Sequence, residues 1–269
     1  MKKFLDWNPD KDIFTKSTEI SLHEKIHEEK FNLNNFLIND SRLKYLLKAE
    51  NLIGKKITGN ILEIGAGNGY MSIYIAKNRE INQIYVMECT RNEVDKLIRK
   101  NFEKNKIENN KYELVLGSFN AIPLKEKFDF VISFGTLHHS SNLQKTLDEI
   151  HKSLKCGGYL IAQEPYSLDS TQNSIFIKRK DKVENVQGLI KIKNSLRDDN
   201  FFRKCEYLTA SFHAGYENVR FERLKKSFKN RLSTILKRQK SKNYNMLLIL
   251  KKGPKTKIHP PHRWLNNPF

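Results

Sequence analysis

The run Gly65-Ala66-Gly67-Asn68-Gly69 is the part of this sequence with the clearest chemical capacity. Glycine has no Cβ, so a loop built from it lets backbone approach a ligand and adopt positive φ. Ile61-Leu62-Glu63-Ile64 precede the run, and Tyr70 to Asn78 follow it with helical spacing. A strand that ends in glycines and opens a helix is a nucleotide-binding pattern, although a tight turn that binds nothing shares the spacing. Glu88 ends the next apolar run, 23 positions after Gly65. An acid about 20 residues beyond such a loop is where a ribose hydroxyl pair is held, and a carboxylate can accept both hydrogen bonds.

The spacing narrows the nucleotide. A dinucleotide loop places its third glycine in the order G-x-G-x-x-G. That place is Tyr70, and the third glycine comes one residue early, at Gly69. The Gly-Lys-Ser/Thr of a phosphate loop is absent. Glu63 stands two residues before the first glycine. A carboxylate there suits a ligand with an ammonium group better than one with a pyrophosphate.

Other chemistry-bearing residues form weaker patterns. His23 and His27 are one helical turn apart, a spacing that can hold a metal, but no third ligand stands nearby. A solvated helix face is the plainer reading, and no metal is expected. Cys89, Cys156 and Cys205 make neither a zinc pattern nor a disulfide framework. A reducing cytoplasm fits such usage.

The elements that would position these residues alternate. Leu37 to Ile53 reads as a helix that Gly54 closes. Strands are expected at 61–64, Gln83 to Glu88, Tyr112 to Leu116, Phe128 to Ser133 and Tyr159 to Gln163, the last after a turn at Gly157-Gly158. Helices are expected between them at Tyr70 to Asn78, Arg91 to Asn105 and Leu143 to Leu154. This rhythm predicts an α/β, Rossmann-like, doubly wound sheet. Residues 166–202 show no clear strand. Phe201 to Ala214 reads as a helix, and Tyr216 to Leu224 and Asn243 to Lys251 as strands.

The expected domains are an N-terminal helical cap or lid over 1–57, a main domain over 58–252 with insertions at 166–202 and 225–242, and an irregular tail over 253–269. Trp7, Phe31 and Phe36 of the cap are placed to close over a cofactor or to pack the cap on the sheet. No uninterrupted apolar run reaches about 18 residues, so no membrane span is expected. No cleaved signal peptide is expected either.

The formal net charge is +19 over 269 residues. Residues 170–269 hold 24 Lys+Arg and 7 Asp+Glu, whereas residues 1–169 hold 25 and 23. A basic region of this kind draws in anions: nucleic acid, phosphorylated or nucleotide-linked small molecules, or an anionic membrane surface.

Taken in order, five stretches resemble the class I S-adenosylmethionine-dependent methyltransferases of small-molecule type. They are residues 61–69; Glu88; Gly117-Ser118-Phe119 with 120–124; 128–133 followed by Leu137-His138-His139; and 154–160, with Cys156-Gly157-Gly158 at their centre. The resemblance implies seven strands in the order 3-2-1-4-5-7-6, strand 7 antiparallel. It implies that Gly65, Ala66, Gly67, Asn68 and Gly69 cradle methionine and ribose and that Glu63 helps hold the amino group. By the same resemblance Glu88 takes the ribose hydroxyls, and Met87 and Cys89 border the adenine. Gly117, Ser118 and Phe119 lie against that ring, and Ser133 completes the cofactor set. The family usually has an acid where Ser118 stands and a proline where Cys156 stands.

The reaction implied is methyl transfer from S-adenosylmethionine, leaving S-adenosylhomocysteine. The acceptor approaches after strand four, where His138 and His139 are candidate bases; packing and hydrogen bonding are the alternative for both. Glu164 and Tyr166, after strand five, are expected to face the same cleft, whereas His213 reads as structural. An O or N atom of a small anionic acceptor, phosphorylated, nucleotide-linked or related to surface polysaccharide, fits the charge. Two alternatives remain at this stage. One is an RNA methyltransferase using the basic C-terminal half, with Phe221 and Phe228 interleaved among cations. The other is a non-catalytic protein that only binds the cofactor.

Overall fold

The computed structural model describes residues 3–7, 33, 36–37, 41–140, 142–166, 202–224 and 244–253, and the backbone of three short strands between 183 and 197. The main elements in chain order are β1 (Leu5–Asp6), α1 (Ser41–Ile53), β2 (Gly59–Ile64), α2 (Tyr70–Asn78) and β3 (Ile81–Glu88). A π-helical turn (Glu93–Ile98) leads into α3 (Arg99–Lys104). Next come β4 (Tyr112–Leu116), β5 (Phe128–Phe134), a short 3₁₀ turn (Leu137–His139), α4 (Leu143–Ser153) and β6 (Leu154–Tyr166). After β7 (Val183–Val186), β8 (Leu189–Ile192) and β9 (Ser195–Arg197) follow α5 (Lys204–His213), β10 (Tyr216–Leu224) and β11 (Tyr244–Lys252).

The main sheet has the order β1-β4-β3-β2-β5-β6-β11-β10. Without β1 this is the expected 3-2-1-4-5-7-6. β11 runs antiparallel to both β6 and β10, and the other pairings are parallel. The sheet therefore has eight strands and not seven. The extra strand comes from residues expected in a helical cap: Leu5 and Asp6 pair in parallel with Val115 and Leu116. The backbone amide of Trp7 then donates to the Leu116 carbonyl at 2.8 Å. A two-residue strand carries no periodicity by which to find it. A second departure is β7, β8 and β9, which form a small antiparallel sheet where no strand was expected.

Both faces of the main sheet are buried, which explains the near-continuous apolar runs in its parallel strands. Ile61, Ile84, Phe130 and Ile161 pack on one side with Leu46 of α1 and Ile73 of α2. Leu62, Val131, Leu160 and Leu248 pack on the other with Leu147 of α4 and Tyr207 of α5. Burying each such side chain contributes about 1.5–3 kcal/mol.

An ion pair ties α1 to this frame. Arg79, at the end of α2, donates from Nε and Nη2 to the two oxygens of Glu50 at 2.8 Å each. The Ile57 amide donates to the same carboxylate at 2.9 Å. Burial pushes the Glu50 carboxyl upward, but Arg79 and the amide outweigh it and hold the group below its ordinary value. The clamp therefore stabilises the fold at neutral pH and is lost as pH falls through the lowered value. Arg79→Ala leaves a buried carboxylate facing one amide and should cost about 3 kcal/mol. Urea denaturation at pH 7 measures this, and a loss under about 1 kcal/mol would show that the pair behaves as a surface ion pair.

Candidate functional site

Strand order reverses between β2 and β5, because the chain winds outward from them in opposite directions. In open α/β sheets ligands bind at such a reversal, outside the carboxyl ends of the strands. The glycine run leaves β2 here, and the 3₁₀ turn with the two histidines leaves β5.

The glycine loop is closely fitted. Gly65, Gly67 and Gly69 all have positive φ, at 66°, 57° and 74°. A Cβ on Gly65 would overlap the side chain of Thr136 from the β5 loop. The amides of Gly65 and Ala66 both donate to the Met87 carbonyl, at 3.0 and 3.1 Å. Asn68 is buried, its Oδ1 accepting from the Tyr70 amide at 3.3 Å and its carbonyl from Asn101 Nδ2 at 2.9 Å. The loop is thereby held from β3, from α3 and from the β5 loop.

Two carboxylates bracket it. Glu88 accepts from the Gly67 amide at 2.9 Å and from the Cys89 amide at 2.9 Å. Two of its roughly four lone-pair positions are so occupied, which leaves acceptor capacity for a pair of hydroxyls. Glu63 is buried at 5% exposure, and Ser72 of α2 donates to it. Burial raises its carboxyl from 4.5 to about 7; Ser72 and the more distant charge of Arg42 pull the other way. The Cys89 thiol is pushed well above its ordinary range by burial and then by Glu88 and Glu93, so it stays protonated. Next to it, the Gly117 amide donates to the Glu88 carbonyl at 2.9 Å. Ser118 Oγ accepts from the Asn120 amide at 3.2 Å, and Phe119 packs half-buried on the core. Trp7 of the expected cap comes to the same corner, its Cβ beside Gly117.

Glu164 gathers the other side. It is fully buried. Its Oε1 accepts from the amides of Thr136 and Leu137 at 2.9 and 2.8 Å, with Ser133 Oγ at 3.4 Å. Its Oε2 accepts from the His138 amide at 3.3 Å and meets His138 Nδ1 at 2.8 Å. A carboxylate so placed favours a proton on Nδ1 and leaves the lone pair on Nε2. The His139 ring lies 4.1 Å from that of His138, centroid to centroid. Tyr166, two residues further along β6, is buried and packs edge-on against Phe221.

The structure thus brings together Glu63, the glycine loop, Glu88, Ser133, Glu164 and His138 around one strand-order reversal. Four contributors escaped the sequence reading: Ser72, Asn101, Thr136 and Tyr207. Each is one polar group within an apolar or mixed helix or loop, so only the packed structure reveals its partner. Tyr207 is fully buried, and among the described residues its hydroxyl has no hydrogen-bond partner. Burial raises its phenol well above the ordinary range, and the charge of Glu164 adds to this. His23, His27, Phe31, Phe228, most of 166–202, all of 225–242 and the tail beyond 253 lie outside the described residues. Among the described residues no three His, Cys, Asp or Glu side chains cluster to hold a metal, and no helix is long and apolar enough to cross a membrane.

Comparison with known proteins gives this geometry a context. A family model described as a methyltransferase domain matches residues 55–239. A malonyl-[acyl-carrier protein] O-methyltransferase of Priestia megaterium is 25% identical over 101 residues, 38% of this chain and 35% of that protein. A sarcosine/dimethylglycine N-methyltransferase of Aphanothece halophytica is 25% identical over 181 residues, 65% of this chain and 58% of that protein. The matches thus span about a third and rather over half of these relatives. The fold is shared with phosphoethanolamine N-methyltransferase 2 of Haemonchus contortus, solved with phosphomonomethylethanolamine and S-adenosylhomocysteine. That likeness has a TM-score of 0.58 at 14% identity and covers 82% of this chain and 55% of the other.

The buried acid at position 63 has a consequence for stability. A carboxyl raised from 4.5 to about 7 on folding binds a proton more tightly in the native state. Native stability therefore falls as pH rises from the unfolded to the folded value, and levels off above about 7. Glu63→Gln keeps the shape and removes the charge. It should flatten this slope and raise unfolding free energy at pH 8 by about 3 kcal/mol. Denaturation at pH 5 and pH 8 compares the two proteins; a variant less stable than the parent at pH 8 would sink the assignment.

Proposed function

The chain belongs to the methyltransferase-domain family, and from that premise we propose that it is an enzyme which takes a methyl group from S-adenosylmethionine to an oxygen or nitrogen of a small anionic acceptor. The observation that carries the reading is the glycine loop at the strand-order reversal with a carboxylate on either side. The residues present suit this donor. Its amino-acid end has an ammonium for Glu63, and its ribose has two hydroxyls for Glu88. A pyrophosphate would meet two acids there and no basic side chain of the loop. In the proposed arrangement Gly65 to Gly69 lie along the methionine and ribose, and Cys89, Gly117, Ser118 and Phe119 surround the adenine.

When bound, S-adenosylmethionine supplies a methyl group already activated on a sulfonium. The chain's own task is then to place a nucleophile in line with it, within about 3–3.5 Å, and to take one proton. His138 is the group we assign to the proton. Glu164 holds its Nδ1 side, so Nε2 acts as base when the acceptor is a hydroxyl; an amine needs this help less. Glu164 acts through the imidazole and the turn, with its own oxygens already engaged. Tyr166 is assigned to packing. An anionic acceptor is favoured by the basic last hundred residues, and the phosphate-bearing ligand of the Haemonchus relative is of the same class. The domain limits proposed are 58–252 for the catalytic unit, with 1–57 before it.

Calorimetric titration of the full chain with S-adenosylmethionine tests the reading. One site is expected, and Glu88→Ala should weaken it by about tenfold or more, through lost charge-assisted bonds to the ribose. Absence of binding to the unaltered protein would end the proposal. Once an acceptor is in hand, His138→Asn should lower kcat and remove the acid limb of its pH profile. A lowered rate with the limb intact would leave His138 a packing role.

A further inference from the structure

A cavity of about 220 Å³ lies on the face of the sheet that α1 covers. Leu52 and Ile53, the last two residues of α1, form one wall. Tyr159 of β6 and Ile249 of β11 form the floor, and Asn218, Arg220 and Lys251 stand around it. Ordinary ligand pockets begin at about 300 Å³, so this one suits a molecule built on a single ring.

Strand register explains why these side chains meet. Tyr159 pairs with Lys251 and Lys251 with Asn218, while Ile249 pairs with Arg220. Paired residues, and residues two apart on one strand, share a face. β10 also shifts register between Tyr216 and Asn218, and a bulge of this kind re-aims the side chains beside it. Glu164 lies five residues beyond Tyr159 on β6, so it points to the opposite face and lies about 16 Å further along the strand. The cavity is therefore separate from the crevice assigned to methyl transfer.

The polar groups here have bonding capacity to spare. Arg220 donates to Glu222 from Nε at 3.1 Å, which leaves both terminal nitrogens of its fork. Lys251 stands 3.9 Å from Glu217, beyond hydrogen-bond distance. Among the described residues the Tyr159 hydroxyl and the Asn218 amide have no partner. Tyr159 stacks on Phe130, with centroids 5.8 Å apart and planes 17° from parallel, so the floor is aromatic as well as aliphatic. Glu222 is shared with Lys48 at 3.6 Å. Lys48, Arg220 and Lys251 thus stand against Glu217 and Glu222, and Lys55 lies one ring away, 5.5 Å from the Phe130 centroid. This small positive excess matches a monoanion. A phosphate dianion would have to sit beside two carboxylates, whereas the arginine fork takes one planar carboxylate through two parallel bonds.

We propose that this cavity is a second binding site, for a small aryl carboxylate. The ring lies between the end of α1 and the floor of Tyr159 and Ile249, and the carboxylate lies between Arg220 and Lys251. A ligand held there joins the end of α1 to β10 and β11.

Benzoate is the probe, titrated into the methyl-labelled full chain and followed by NMR. A Kd of about 1 mM or tighter is expected. Methyl shifts should concentrate on Leu52, Ile53 and Ile249. Benzyl alcohol, similar in shape but neutral, should bind about tenfold more weakly, and so should inorganic phosphate, which lacks the ring. The Arg220 side chain is 47% exposed, so its replacement leaves the core intact. Arg220→Gln should weaken benzoate about tenfold, and Arg220→Lys should recover part of the loss. Absence of benzoate binding at about 10 mM would overturn the proposal, and so would shifts centred on other methyl groups. Neither of these needs a variant. Benzyl alcohol or phosphate binding as tightly as benzoate, or an Arg220→Gln protein of unchanged affinity, would overturn it as well.

Discussion

The buried carboxylate of Glu164 decides where the chain can go after β5. It accepts from three consecutive amides, 136 to 138, and from the His138 ring. Each of those amides would otherwise lie buried without a carbonyl partner, at about 1–3 kcal/mol apiece. The turn is therefore pulled onto the end of β6 and held there. Thr136 then rests against Gly65, so the residue that begins the glycine loop can carry no side chain. One carboxylate so couples the two loops that face each other across the strand-order reversal.

The local charge of this crevice runs against the charge of the molecule. The chain carries +19, yet three carboxyl side chains, Glu63, Glu88 and Glu164, are set against these loops. The basic surplus sits in the last hundred residues. A cationic donor and an anionic acceptor would thus meet fields of opposite sign on approach. Charge separation of this kind acts on encounter and orientation more than on the fold.

Much of the sheet was legible because its strands are short apolar runs closed by glycine or by charge. α2, β4 and β10 have the expected limits to the residue. The glycine loop and Glu88 stood out by their spacing, whereas the histidine pair was singled out only by the resemblance. β6 begins earlier than expected, at Leu154, and the turn expected at Gly157-Gly158 lies within it as an irregularity: Leu154 pairs with Phe128 and Tyr159 with Phe130, and Gly157 has a φ of 76°. A Cβ on Gly158 would lie 3.0–3.1 Å from three backbone carbonyl oxygens, so glycine there serves a close approach inside the strand. β1 and the strands from 183 to 197 are too short to show an alternation. The partners of Glu164 were illegible for another reason. A sequence shows a carboxylate near a strand end but not that amides 26 to 28 residues away converge on it.

The added strand β1 bears on how copies of this molecule meet. An open strand border presents unpaired amides and carbonyls, a ready template for the backbone of a second chain. At one border β1 covers two residues of β4, next to the glycine at 117. At the other, β10 presents Glu217, Arg220, Glu222 and Arg223, among which Glu217 pairs with Lys251 and Glu222 with Lys48 and Arg220. Bringing two such borders together would set charges in register that each already has a partner at home. Among the described residues a short strand covers part of one border and paired charges line the other, both features that work against a flat open edge.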